Sequence, residues 1–178
     1  QCEALDLAPE ARRLLERVHL DFVLAGARLS ASDKQRFGVI VERLAELQTA
    51  FSQNVLHDES SWALWLADER DLAGLPPFLR ASAHEAAQQR GRPDGWAITL
   101  SRSLVAPFLT YSDRRDLREQ AFKAWTSRGE HDGEHDHRPI AREILALRHE
   151  QARLMGYATY AEYALVDRMA GTPAAASA

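Results

Sequence analysis

Apolar residues at Ile140, Ile144, Leu147 and Leu154 recur at three- and four-residue steps, which lays one apolar stripe along a helix. Gly156 closes that helix, because glycine takes the left-handed conformation at no steric cost. Tyr157-Ala-Thr-Tyr160-Ala-Glu-Tyr163 then opens a second apolar-faced helix almost at once. Two helices joined so tightly are expected to fold back on one another. The constraint favours a mainly α, antiparallel helical domain.

The rest of the chain reads the same way. Pro9 suits a first helical turn, and Leu14, Leu15, Val18, Phe22 and Val23 follow at helical spacing as far as Gly26. Ser30-Ala-Ser-Asp33 places a capping hydroxyl three residues before a carboxylate. A long stripe follows through Phe37, Ile40, Val41, Leu44, Leu47, Phe51 and Val55. Trp62-Ala-Leu-Trp-Leu-Ala67 and Trp96-Ala-Ile-Thr-Leu100 are short and aromatic-rich, so they predict a two-stranded β-ribbon, about 62–66 with 96–100. Between them Leu75-Pro76-Pro77 opens an alanine-rich helix that ends at Gly91. A short helix near Leu104–Thr110 precedes a longer one, Arg114–Arg128, with Leu117, Ala121, Phe122 and Trp125 expected on its inner side. Gly129-Glu-His-Asp-Gly-Glu-His-Asp-His137 is a polar loop without an apolar residue.

These pieces carry a resemblance. The stretch Ile144–Tyr163, with Trp96-Ala-Ile-Thr-Leu100, Pro107-Phe-Leu-Thr-Tyr-Ser-Asp-Arg114, Asp116-Leu-Arg118-Glu119, Phe122-Lys-Ala-Trp125 and Met169-Ala-Gly-Thr-Pro173, resembles the amino-terminal helical half of the thimet-oligopeptidase family of zinc metallopeptidases, and within it the peptidyl-dipeptidase (dipeptidyl carboxypeptidase) branch. Val23-Leu-Ala-Gly26-Ala27-Arg-Leu-Ser30 and Phe51-Ser-Gln-Asn54-Val55-Leu56 fit the same family, so the likeness spans nearly the whole chain.

The resemblance implies a parent enzyme that hydrolyses short peptides with a zinc-bound water and, in the peptidyl-dipeptidase branch, releases carboxy-terminal dipeptides. Its two zinc-binding histidines and activating glutamate lie in an H-E-x-x-H helix. That motif is absent here. His84-Glu85-Ala-Ala-Gln88 and His149-Glu150-Gln-Ala-Arg153 come near, but Gln88 is a poor zinc ligand and Arg153 repels a cation. His131-Asp-Gly-Glu134-His135 matches the inverted H-x-x-E-H order, which works only on a continuous helix, and Gly133 interrupts it. His131 and His135 are therefore the only metal candidates, as a small histidine-loop binder. The related enzymes typically carry Gly-Glu-Asn-Asp-Asn at this loop, so His135 and His137 would replace two asparagines.

No catalytic residue and no zinc ligand is expected within this chain. Zinc and the catalytic domain would belong to the parent enzyme, with short peptides as its partners. Tyr157, Tyr160 and Tyr163 step at three-residue intervals and read either as an interior face or as a wall of the substrate channel. A freestanding helical interaction module without enzymatic activity is the alternative function. A homodimer through exposed apolar surface is the alternative cover for a bare face.

With 22 Lys plus Arg against 26 Asp plus Glu, the net charge of −4 offers no field for nucleic acid. No run approaches the roughly 18 apolar residues that span a bilayer. The single cysteine, Cys2, closes no intrachain disulfide, which suits a cytoplasmic location and leaves a periplasmic one open. The whole, 1–178, reads as one helical domain of a larger peptidase, since it starts without methionine and stops in a small-residue tail.

Overall fold

The structure, a computed structural model, describes residues 7–130 and 132–178. Cys2 and His131 lie outside the described residues. The order is α1 (Pro9–Leu24), α2 (Ala31–Ser61), β1 (Ala63–Leu66), a 3-10 turn (Glu69–Leu72), α3 (Pro77–Gln89), β2 (Trp96–Thr99), α4 (Arg102–Tyr111), α5 (Arg115–Thr126), α6 (His137–Leu154), α7 (Tyr160–Leu165) and α8 (Pro173–Ala176). The expected mainly α architecture with a small ribbon is present. The described residues cluster into two units, one from residues 7–48 and 142–178, the other within residues 49–141. Both α2 and α6 contribute residues to each.

The second unit is built on the ribbon. β1 and β2 pair antiparallel, Ala63 with Thr99 through Leu66 with Trp96, one residue inside the predicted bounds at each outer end. Leu64 and Leu66 of β1 share one face of the ribbon with Ile98 of β2, and together with Ala97 from the other face they are buried in one cluster with Leu79, Ala83 and Ala87 of α3. The small alanines, fully buried at i and i+4, let α3 lie close on β2. Val105 and Phe108 of α4 and Leu117 and Ala121 of α5 complete this core. His84 fixes α3 to the turn before β2: its Nδ1 donates to the Gly95 carbonyl at 3.0 Å, which leaves Nε2 to accept from the Gln88 amide at 3.1 Å.

Phe122 departs from expectation. It is 52% exposed, while Leu117 and Ala121 are buried and Trp125 is half-buried against the core. Residues 117, 121 and 125 share one stripe at four-residue steps, and Phe122 lies about 100° round the helix from Ala121.

In the first unit, Ile40, Leu44 and Leu47 of α2 and Ile144 and Ala152 of α6 are buried. The predicted cap at Ser30 forms: its Oγ accepts from the Asp33 backbone N–H at 3.2 Å and donates to the Asp33 carboxylate at 2.8 Å. The apolar stripe of α1 is split. Leu14, Val18 and Phe22 are 65%, 41% and 65% exposed, and α1 has no buried residue.

Two bidentate pairs run α2 and α6 antiparallel here, Arg36 to Glu150 at 2.6 and 2.7 Å and Arg43 to Glu143 at 2.7 and 3.0 Å. The seven-residue spacing on both helices puts both pairs on one face. Their arginine hydrogen bonds hold both glutamates below the usual carboxylate range. A depressed carboxyl favours the folded state while it is charged, so its contribution is full above the unfolded value and fades as pH falls through the folded one. The double variant Glu143→Gln/Glu150→Gln is expected to melt below the parent at neutral pH. That gap should close progressively below the ordinary glutamate value of about 4.3, and thermal melts across pH check it.

Candidate functional site

The tyrosine cluster belongs to the first unit. Gly156, with φ of +85°, ends α6, and α7 starts at Tyr160 rather than Tyr157, because Thr159 accepts from the Glu162 backbone N–H at 3.2 Å while Glu162 accepts from Ala158 at 3.0 Å. The three rings meet. Tyr163 lies 5.5 Å from Tyr157 and 6.0 Å from Tyr160, both tilted. The Tyr163 hydroxyl donates to the Leu24 carbonyl at 3.2 Å, and burial, helped by Tyr160, Tyr157 and Asp167, pushes its phenol pKa up. That hydroxyl anchors α7 to the end of α1.

Tyr160 also carries the Arg148 guanidinium over its ring at 5.1 Å. The two border a cavity of about 270 Å³ with Val41, Leu44, Gln48 and Gln151. Arg148 was not among the predicted site residues. The signal for it is a charge placed four residues after Ile144 and four before Ala152, within a buried stripe.

The histidine loop belongs to the second unit. Gly129, with φ of +74°, donates its N–H to Asp58 at 2.7 Å and accepts from the His137 backbone at 2.7 Å. The His137 ring stacks on Phe51 at 4.1 Å and is 7% exposed. His135 donates from Nδ1 to the Asn54 amide oxygen at 3.2 Å and stacks on His57 at 3.9 Å and 26°. A cavity of about 390 Å³ opens beside them, with Asp58, Trp62 and Glu134 among its walls. Asn54 and His57 are not legible as partners, since they stand 81 and 78 residues before His135. Arg138 clamps Asp132 at 2.7 Å and Asp136 at 2.9 Å, and its bond holds the Asp136 carboxyl below the usual range.

Among the described residues, the imidazoles of His57 and His135 do not converge on one point. Stacked imidazoles send their lone pairs out side by side, whereas a tetrahedral ion needs them converging. Among the described residues, no group of three or more His, Cys, Asp or Glu side chains is placed to hold a metal. Of the near-miss motifs, His84 is committed to Gly95 and Gln88, and Glu150 to Arg36. No helix among the described residues is long and apolar enough to cross a membrane.

Residues 108–178 match Peptidase family M3. The chain is 36% identical over 166 residues to Oligopeptidase A of Salmonella typhimurium, covering 91% of this chain and 24% of that protein. It is 37% identical over 175 residues to Oligopeptidase A of Haemophilus influenzae, covering 96% of this chain and 26% of the relative. It is 37% identical over 176 residues to Dipeptidyl carboxypeptidase of Salmonella typhimurium, covering 99% and 26%. The chain thus spans about a quarter of the length of these curated relatives.

Proposed function

This chain is M3 peptidase sequence of the thimet-oligopeptidase type, and on that premise we propose that it is a non-catalytic helical portion of a zinc-dependent enzyme that hydrolyses short peptides. Likeness along more than nine-tenths of the chain to Oligopeptidase A and Dipeptidyl carboxypeptidase carries this reading, together with a sequence that holds no H-E-x-x-H. Zinc in such enzymes supplies a metal-activated water. The residues here position and enclose substrate rather than react with it. The partly buried rings of Tyr157 and Tyr160 would line the channel, and Tyr163, tied to Leu24, would hold them in place.

Two measurements test this. The chain alone, with added zinc, is expected to leave a fluorogenic short peptide uncleaved above buffer. A chimera in which this chain replaces the matching quarter of Oligopeptidase A is expected to retain zinc-dependent peptide hydrolysis. Zinc-dependent turnover that follows the isolated chain through purification overturns the non-catalytic assignment, and a folded but inactive chimera overturns the channel role.

A further inference from the structure

The apolar stripe of α6 is interrupted twice in the first unit, by Arg148 between buried Ile144 and Ala152 and by Gln151 between Leu147 and Leu154. Both interruptions line the same cavity of about 270 Å³. A guanidinium in such a position is ordinarily neutralised by a carboxylate, because an unpaired charge drawn from water is costly. Two other arginines of this unit have that partner in bidentate form, Arg36 with Glu150 and Arg43 with Glu143. Arg148 has no ion pair among the described residues, and its Nε is shielded from solvent without a hydrogen-bond partner. Its one neighbour of note is the Tyr160 ring, which orients the planar fork without quenching its charge.

The lining completes a recognisable chemistry. Gln48 and Gln151 bring carboxamide donors, Tyr160 a phenol, and Val41, Leu44 and Ala45 an apolar floor. The volume is near the lower limit for small-molecule sites, so the occupant is small. We propose that this cavity binds a carboxylate carrying a short apolar tail, with the Arg148 fork taking both oxygens and the aliphatic floor taking the tail. The proposal stands independently of any channel role. A peptide carboxy-terminus and a free carboxylic acid share this chemistry, and the test separates them.

The Nε–H resonance of Arg148, identified by its loss in Arg148→Met, is followed by nitrogen-edited NMR during titration with Ala-Ala, with Ala-Ala amide and with butyrate. A saturable shift with Ala-Ala but not with its amide identifies a peptide carboxy-terminus. An equal saturable shift with butyrate identifies a carboxylate site indifferent to the peptide. Arg148→Met should weaken the response of the remaining cavity amides roughly tenfold, with an unchanged melting curve. If that variant fails to fold, the amide comparison in the parent chain decides alone. No saturable shift with either acid, or an equal shift with Ala-Ala amide, overturns the proposal.

Discussion

Gly129→Ala is expected to lower the thermal midpoint of the chain by roughly 10 °C. Two independent costs meet at this residue. With φ at +74° the backbone is in the left-handed region, where a side chain costs about 1–2 kcal/mol. The added Cβ would also lie 2.7 Å from Cε1 of His137, and closer still to Nδ1 and Cγ. That ring has nowhere to go, since it is 7% exposed and stacked on Phe51 at 4.1 Å. Forcing it aside adds about 1–3 kcal/mol and strains the bonds from Gly129 to Asp58 and from His137 to Gly129. At about 2–4 °C per kcal/mol for a chain of this size the total is of that order.

A second variant isolates the clash. In a His137→Asn background the crowding at position 129 is relieved and only the backbone cost remains. Gly129→Ala should therefore cost less there than in the parent, a coupling that a double-mutant cycle on melting curves resolves. Additive losses, or a parent loss below about 1 kcal/mol, would contradict the packing of this loop.

How far the sequence anticipates this structure depends on what periodicity encodes. Three- and four-residue steps say which side chains share a face, and they place α1 through α6 and the ribbon correctly. They do not say whether that face is covered. The stripe of α1 is periodic, yet Leu14, Val18 and Phe22 are exposed. Short elements set by single hydrogen bonds are weaker signals still. The turn at Glu69–Leu72 rests on Asp68 accepting from Arg70, α7 is delayed to Tyr160 by the Thr159 cap, and α8 forms in the small-residue tail because Thr172 caps it.

The candidate sites divide along the same line. Tyr157, Tyr160 and Tyr163 are legible because they are close in sequence, and the structure brings their rings together. His135 is legible as a loop histidine, but its partners Asn54 and His57 come from the far end of α2 and carry no local mark. Arg148 and Gln151 are a different case. A polar residue inside an apolar stripe is a visible anomaly, and its meaning appears only when α2 supplies the opposite wall.

Phe108→Ala against Phe122→Ala discriminates most sharply between the periodic pattern and the packing. Both are phenylalanines in helices of the second unit, and sequence spacing expects Phe122 to face inward. Phe108 is fully buried among Leu66, Leu79, Ile98 and Val105, whereas Phe122 is 52% exposed beside Leu109 and Arg118. Truncating a fully buried phenylalanine removes its transfer free energy and leaves a void, together about 3–5 kcal/mol. At Phe122 half of the ring is already in water and no cavity forms, so the loss should stay near 1 kcal/mol or below. Urea unfolding of the two variants measures the difference directly, with Phe108→Ala shifting the midpoint far more at unchanged slope. Equal losses, or a larger one at Phe122, would mean that α5 turns its other face to the core. In that case Leu117 and Ala121 would have to be the exposed residues, and the stripe at 117, 121 and 125 that holds α5 in place would be lost with them.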